Sequence, residues 1–410
     1  MASPDLWCML KNSKMKGEIQ IKIEGHIDEE WTEVFQGMSI SYEEDNTVLT
    51  GLLKDEAQLH GVLNSIRDLN LKLISVKPMD DNKITKTLII GGGPLGSLYT
   101  FLFHRAGKNV TLMDRNEHYE FIKTNGLVLV NEFSKLKEVE RVKVVDTIGD
   151  DDHYDLAIIL MRKNSIKKLL PTLSKNQKIK HFLFMGNNGS GFEEYLTHLP
   201  EEKVLFGFPG GGGSNIDHIT HYVDSDKPGG KRMPVILGEI NGEVQERTRL
   251  IQDLFESSGV PVRIVDDIDS WFKYHIAFVL PVAGALLRSG DNYKLAKDRP
   301  TIRKYILSVR EAGRVLKSLG YKKSYNTKFK LFYWMPIGLL TRILSKVFNS
   351  KFSEVAMIMH VREAKDEMAE LAKAFYILVK QSNLATPNLD ELMREIIPSK
   401  AEEFKVNGQV

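Results

Sequence analysis

The 410-residue chain is poor in cysteine and in net charge, and both shortages exclude classes of protein. Its single cysteine, Cys8, cannot form a disulfide within the chain, which fits a reducing cytoplasm. The formal net charge is only +2, so the composition as a whole indicates neither a nucleic-acid partner nor an anionic membrane. We therefore expect a cytoplasmic protein that binds no nucleic acid.

Long hydrophobic runs are scarce as well. The longest, residues 276–287, is shorter than the roughly 20 residues that a membrane helix needs, and it is typical of a buried helix. Residues 6–10 form an apolar run too short for a signal peptide, and Lys11 and Lys14 follow it. We expect a soluble globular protein without a membrane span, and the length predicts two or three domains.

A glycine-rich motif, GGGPLG at residues 91–96, follows a predicted strand and opens a predicted helix over residues 97–106. This context favours a dinucleotide site over an ordinary glycine-rich turn. Gly91 permits a tight turn, Gly93 lets the backbone approach a pyrophosphate, and Gly96 lets the helix pack against the strand. Pro94 and Leu95 complete the predicted contact, where the helix N-terminus favours anions.

The next predicted strand, residues 109–113, ends at Asp114 and Arg115. They lie roughly twenty residues beyond the glycines, where a ribose-reading residue is expected. Asp114 would accept hydrogen bonds from a ribose 2′-hydroxyl and repel a 2′-phosphate, whereas Arg115 could bind that phosphate. Asp114 therefore favours NAD, whereas Arg115 favours NADP.

Residues 16–80 predict a small separate module after a tail of residues 1–15. The predicted order is β-α-β-β-α-β, typical of a ferredoxin-like α+β fold. We find no metal-ligand spacing in it and assign no metal to the chain. Residues 77–83, which include Pro78, predict a linker. The predicted strands are residues 19–24, 39–42, 47–52 and 71–76, and the predicted helices are residues 28–35 and 55–68.

The rest of the chain predicts an α/β Rossmann domain followed by an all-α C-terminal domain. Strands and helices alternate over residues 84–262, as a doubly wound parallel sheet requires. Residues 154–160 and 179–184 are compact apolar strands. Residues 266–410 are helical, and a substrate cleft is expected between the two domains. The predicted helices of the last domain are residues 270–287, 301–319 and 353–382.

Residues 84 to about 400 resemble the ketopantoate reductase family, whose members join a Rossmann domain to a helical domain. The resemblance implies hydride transfer between a nicotinamide and the carbonyl or hydroxyl carbon of a small molecule. It favours NADP through Arg115, leaves NAD open, and is compatible with a homodimer. The matching segments are GGGPLG at residues 91–96, LMDR at 112–115, NNG at 187–189, WFK at 271–273 and DEM at 366–368.

The resemblance also implies roles for single residues. Lys273 would be the general acid that protonates the carbonyl oxygen, although a solvated helix lysine is the alternative. Glu367 would bind a substrate hydroxyl, with a solvated helix face as the alternative. Asn188 would lie near the nicotinamide, unless Asn-Gly is only a turn. Arg162, just beyond a predicted strand, is also counted among the cofactor contacts.

The sequence departs from the family pattern at three substrate positions. Ala277 and Pro281 stand where asparagines are expected, and Val355 replaces a serine. Because the polar partners for ketopantoate are missing, reduction of ketopantoate itself is not expected. His275 and His360 are nearby alternatives as proton donors, although a lone histidine is more often structural.

Two further segments leave alternatives open. Residues 208–214 form a second glycine-rich loop that either admits a ligand or is a flexible turn. Residues 331–348 predict a lid over an apolar pocket in preference to an amphipathic membrane-surface helix. A non-catalytic, NAD(P)-sensing regulator that acts through the N-terminal module is the alternative function.

Overall fold

The computed structural model describes residues 17–28, 31, 34–35, 38–43, 45–53, 55–78, 83–321, 327–358, 361 and 365–397. The chain divides into two compact units, residues 1–83 and 84–410. The predicted tail of residues 1–15 lies outside the described residues, as does His360.

The first unit has the expected ferredoxin-like sheet. Its strand order is β2-β3-β1-β4, and all the neighbouring strands are antiparallel. Half of the predicted helix at residues 28–35 lies outside the described residues. The elements are β1 (Gly17–Glu24), β2 (Ser39–Glu43), β3 (Asn46–Leu53), α1 (Glu56–Asp68) and β4 (Leu73–Pro78).

The predicted linker begins too early at residue 77. Strand β4 continues through Pro78, which pairs with Ile19 of β1. Because β4 is an edge strand, the missing N–H of proline costs no hydrogen bond on its outer side. Residues 79–82 lie outside the described part of the chain.

The second unit is built on an eight-stranded sheet in the order β16-β15-β12-β11-β10-β5-β6-β9. Its strands are β5 (Lys86–Ile90), β6 (Asn109–Met113), β9 (Lys143–Val145), β10 (Tyr154–Ile159), β11 (Ile179–Met185), β12 (Val204–Phe208), β15 (Val235–Gly238) and β16 (Val262–Ile264). The helices between them are α2 (Pro94–Arg105), α3 (Asn116–Asn125), α4 (Lys163–Leu173), α5 (Glu193–Leu196) and α6 (Glu246–Ser257).

The prediction of a fully parallel sheet is wrong at one edge. Strands β12 to β9 are parallel, but β15 runs antiparallel to β12 and carries β16 with it. The segment between β12 and β15 contains a β-hairpin and no crossover helix, and the chain returns to the sheet beside β12. Such a return reverses the strand direction.

A second sheet, which the sequence did not predict, packs on α2. It has the order β13-β14-β7-β8. Segments such as KEVE and GGSNI lack the apolar alternation that marks a half-buried strand. The strands are β7 (Leu127–Asn131), β8 (Lys137–Glu140), β13 (Gly212–Ile216) and β14 (Ile219–Val223).

Beyond β16 the described chain is helical. The elements are α7 (Ile268–Ser289), α8 (Asn292–Lys297), α9 (Arg299–Ser318), α10 (Thr327–Trp334), α11 (Ile337–Phe348), α12 (Lys351–Ser353), α13 (Lys365–Ser382) and α14 (Pro387–Ile396). By length and composition α7 could cross a membrane, but most of it is buried in the helical core. The exact domain boundary within residues 84–410 stays a prediction.

The helix predicted at residues 353–382 is interrupted. A π-helical turn, Glu354–Ile358, separates α12 from α13. At Gly212 a β-carbon would lie 2.6 Å from the Cα of Ala356, so this turn lies directly against the second sheet. π-helical turns inside helical segments frequently occur at functional sites.

The connection from the sheet to α7 is short and tightly packed. Only three residues separate β16 from α7. At Gly238 a β-carbon would lie 2.6 Å from the Cβ of Ile268, the first residue of α7. The start of α7 is therefore fixed on the central sheet.

Glu132 links the second sheet to the start of α12. Its carboxylate lies 2.7 Å from His221 Nδ1 and 3.4 Å from Lys351 Nζ, and it pairs with Lys135. Burial raises the pKa of Glu132, but the hydrogen bonds from Lys135 and His221 outweigh burial and hold the pKa at about 2. The ionised carboxylate is therefore favoured in the folded state.

We expect Glu132→Gln to destabilise the protein at neutral pH by about 2 kcal/mol. Because the folded pKa is depressed from 4.5 to about 2, this stabilisation is complete above pH 4.5 and is lost as the pH falls toward 2. Denaturant unfolding at several pH values measures it, with the exposed Glu201→Gln as a control. A gap between wild type and Glu132→Gln that does not narrow in acid would contradict this assignment.

Candidate active site

A cavity of about 430 Å³ lies at the carboxyl ends of β5, β10, β11 and β12, between the Rossmann sheet and the helices. Ligands of open α/β sheets bind at this edge. Three of its walls are backbone-rich turns: residues 93–96, 160–162 and 208–213. The opposite wall comes from α7, from Phe352, Ala356, Met357 and Val361, and from Glu367.

Two glycines of the first turn are required because no β-carbon would fit at their positions. Gly91 has a φ of +106°, and a β-carbon there would lie 2.5 Å from the carbonyl oxygen of Leu160. At Gly96 a β-carbon would overlap the carbonyl oxygen of Gly91. At Gly93, by contrast, a β-carbon would meet nothing within 4 Å. Gly93, the N-cap of α2, thus faces open space where a pyrophosphate could approach the backbone.

Gly92 has a steric role that the sequence did not indicate. A β-carbon at this position would overlap the carboxylate of Asp114 at the end of β6. The carboxylate therefore lies directly beside the glycine turn. It accepts a hydrogen bond from the Arg115 N–H at 2.9 Å, so Asp114 and the turn form one continuous surface.

Two histidines, also missed in the sequence, lie beside Asp114. The Nδ1 atom of His118 lies 2.5 Å from Asp114 Oδ2, and the His218 ring stacks on His118 with centroids 5.9 Å apart. The spacing of four residues between Asp114 and His118 at a helix start could have indicated this pair. Arg115 is exposed, and its guanidinium pairs with no described residue.

The second glycine-rich loop is held in place by a buried tyrosine. The Tyr99 hydroxyl accepts a hydrogen bond from the Gly210 N–H at 2.8 Å and donates one to the Gly210 carbonyl at 3.2 Å. Gly211, Gly212 and Gly213 then line the cavity. The loop is thus a wall of the site instead of a free turn.

Helix α7 presents His275, Phe278, Val279 and Val282 to the cavity. This spacing marks one face of a helix. Lys273 is rotated away from His275 by roughly 200°, at 3.6 residues per turn. It is only 5% exposed, does not line the cavity, and its ammonium lies 2.9 Å from Asp269 Oδ1.

The predicted substrate positions also lie off the cavity. Ala277, Pro281 and Val355 are buried, and none of them lines it. Residues adjacent to them in the sequence line the cavity instead, because packing determines which face of each helix meets the cavity. The apolar lining residues include Phe278, Val282 and Met357.

Of the two adjacent asparagines, Asn187 faces the cavity and Asn188 does not. Asn187 Nδ2 donates a hydrogen bond to Glu367 Oε1 at 2.7 Å, and both side chains belong to the cavity lining. Asn188 is buried and donates to the Gly191 carbonyl at 2.8 Å, within its own turn. The buried Oδ1 of Asn187 has no hydrogen-bond partner among the described residues.

Arg162 lies between this cavity and a second one. Its guanidinium is 3.4 Å from Asp366, and it lines both cavities, as do Asn187 and Glu367. The second cavity, of about 300 Å³, also contains Lys163. Burial lowers the pKa of Lys163. A compartment lined by both basic and acidic side chains therefore adjoins the more apolar main cavity.

Two glycine substitutions should separate ligand binding from folding. Gly93→Ala should leave the free energy of unfolding nearly unchanged, since its φ of −64° and its free space tolerate a methyl group. It should still weaken dinucleotide binding by about tenfold or more. Gly96→Ala should destabilise the fold by about 1–3 kcal/mol through overpacking. Thermal unfolding and NADPH titration measure both variants, and equal destabilisation by both would count against this division.

Comparisons with known proteins agree with this arrangement. Residues 87–223 match the family described as ketopantoate reductase PanE/ApbA, and residues 18–77 match a domain of unknown function (DUF8691). A 2-dehydropantoate 2-reductase of Aquifex aeolicus is 23% identical over 330 residues, which cover 77% of this chain and 97% of the relative. The uncharacterized oxidoreductase YkpB of Bacillus subtilis is 27% identical over 48% of this chain and 63% of its own length.

Solved structures share the fold. A 2-dehydropantoate 2-reductase from Geobacter metallireducens superposes with a TM-score of 0.62 at 17% identity, over 77% of this chain and all of that one. A D-mandelate dehydrogenase solved with NADH and anilino(oxo)acetate gives a TM-score of 0.61 at 17% identity, over 78% of this chain and 99% of that one. Residues 87–223 are therefore similar in sequence to the ketopantoate reductase family, and about three quarters of the chain has the fold of these solved structures.

Proposed function

We propose that the protein is an NAD(P)-dependent oxidoreductase that transfers a hydride between a nicotinamide and a carbonyl or hydroxyl carbon. The observation that carries this proposal is the open space at Gly93, in a turn whose other glycines are sterically fixed and which opens into the main cavity. A structural neighbour solved with NADH supports the nicotinamide.

The residues present fit such a cofactor. The N-terminus of α2, with Gly93 to Gly96, would bind the pyrophosphate, and Asp114 and Arg115 would meet the adenosine ribose. Arg162 would lie near the nicotinamide half, with Asn187 taking the place expected of Asn188. When bound, the reduced nicotinamide supplies the hydride that the carbonyl carbon accepts.

We further propose that His275, instead of Lys273, delivers the proton to the substrate oxygen. His275 is the titratable side chain that α7 turns toward the cavity, whereas Lys273 is paired with Asp269. Its ring stacks on Trp271 with centroids 4.9 Å apart, and this contact fixes the plane of the imidazole. A carbonyl oxygen that receives this proton becomes the hydroxyl of the product alcohol.

The substrate proposed is a carbonyl compound with an apolar body, and not ketopantoate. Apolar side chains such as Phe278, Val282 and Met357 make up most of the walls formed by α7 and the π-helical turn. Asn187 and Glu367 would bind the polar end of the substrate, where Glu367 can accept a hydrogen bond from a hydroxyl. Ketopantoate would find few partners for its hydroxyl on the apolar wall.

Purified protein titrated with NADPH and NADH should enhance the fluorescence of the reduced nicotinamide. Turnover is then sought with 2-keto acids, β-keto acids and apolar aldehydes by following NADPH consumption. If the protein binds neither NADPH nor NADH, the proposal is wrong. Tight binding without turnover on any substrate would favour the alternative of a dinucleotide-sensing protein.

Arg115→Ala should weaken NADPH binding more than NADH binding. Only NADPH carries a 2′-phosphate for the guanidinium, and the Asp114 carboxylate already has a hydrogen-bond partner in His118. We expect a loss of about tenfold for NADPH. Lys123→Ala, which removes an exposed cation farther along α3, is the matched control. An equal loss for both cofactors would exclude this role of Arg115.

His275→Gln should lower turnover on the order of a hundredfold, the usual scale of general acid catalysis, and leave NADPH affinity nearly unchanged. Lys273→Met should lower stability but keep the turnover of the folded protein. The pH profile adds a second measurement, because wild-type turnover should fall as His275 deprotonates and the variant should lack that limb. If Lys273→Met loses turnover while His275→Gln retains it, the proton comes from Lys273, as the family resemblance predicts.

A further inference from the structure

Helices α10 and α11 form an exposed apolar surface away from the cavity. Trp334 is 87% exposed, and Leu331 one turn earlier is 49% exposed. On α11, the residues at 339, 343 and 347 form one exposed stripe of leucine, isoleucine and valine. Soluble proteins rarely leave such a continuous apolar patch uncovered.

The opposite faces of the same helices are buried. Phe332 on α10 and Leu340, Leu344 and Phe348 on α11 belong to the helical core. Both helices are therefore apolar on two faces, which one core cannot explain. The preference for a lid is wrong, because none of the described residues from 327 to 350 lines the cavity.

Basic residues accompany the exposed apolar stripe. Residues 312–353 contain nine lysines and arginines and no aspartate or glutamate, although the whole chain is nearly neutral. Lys330, Arg342 and Lys346 are exposed on α10 and α11, and none of them forms an ion pair with a described residue. Arg342 and Lys346 lie one turn apart, beside the apolar stripe.

We propose that α10 and α11 dock the protein on the surface of an anionic lipid bilayer. The exposed leucine, isoleucine, valine and tryptophan side chains enter the interface, while the three cations meet lipid head groups. A second copy of the chain fits less well, because a two-fold contact would bring the same uncompensated cations together. A nucleic acid would leave the aliphatic stripe without a partner.

The experiment is flotation of the full-length protein with two kinds of vesicle. One contains phosphatidylcholine alone, and the other about one third phosphatidylserine. We expect binding to the anionic vesicles only, and weaker binding when salt is raised from about 0.1 M to 0.5 M. Absence of binding to the anionic vesicles would overturn the proposal.

Two pairs of substitutions test the two parts of the surface. Trp334→Ser with Ile343→Ser, and Arg342→Glu with Lys346→Glu, should each lower vesicle binding at least tenfold. All four side chains are exposed, so the unfolding temperature should stay unchanged and show that the variants are folded. The controls are Leu52→Ser, an exposed apolar residue of the first unit, and Lys175→Glu, an exposed cation of the Rossmann sheet region.

Light scattering tests whether a second copy of the chain occupies this surface instead. A dimer that the Trp334→Ser and Ile343→Ser pair dissociates, together with no vesicle binding by the wild type, would assign the surface to self-association and overturn the proposal. Vesicle binding that survives both pairs of substitutions would overturn it too, because another part of the chain would then carry the contact.

Discussion

Backbone contacts that only glycine permits hold the cofactor side of the cavity together. Gly91 lies against the Leu160 carbonyl at the end of β10, and Gly96 brings α2 against Gly91 itself. Gly92 gives the same clearance to Asp114 at the end of β6. Three strands and one helix N-terminus thus meet around a single turn. The dinucleotide surface exists because these elements can approach without side chains between them.

Much of the fold follows from local sequence pattern. The central strands and α7 are long apolar runs, α9 has strong apolar periodicity, and the predicted and observed limits of these elements agree within a few residues. The second sheet was not predicted, because its strands are short and partly polar and are stabilised by packing on α2. The break in the helix predicted at residues 353–382 depends on the close approach of Ala356 to Gly212, which no local pattern encodes.

The site was predictable where spacing alone determines geometry. The glycine turn meets this condition, since the spacing of Gly91, Gly93 and Gly96 predicted a tight turn, an open backbone position and a close helix contact. Helix α7 does not, because apolar residues surround it on every side and several faces could have met the cavity. Tertiary packing turns His275 inward and pairs Lys273 with Asp269. The sequence likewise does not determine which of the adjacent Asn187 and Asn188 faces the cavity, since adjacent residues of a turn point in different directions.

The short connection into α7 limits how the cavity can open. Ile268 packs closely against Gly238 and only three residues separate β16 from α7, so movement between the central sheet and this wall is restricted. The wall formed by residues 351–358 is attached differently, through the ion pair of Glu132 and Lys351 and through the π-helical turn. Ion pairs at a partly exposed site break and re-form more readily than a packed core rearranges. The α7 wall is therefore attached to the central sheet more firmly than the wall that carries the π-helical turn.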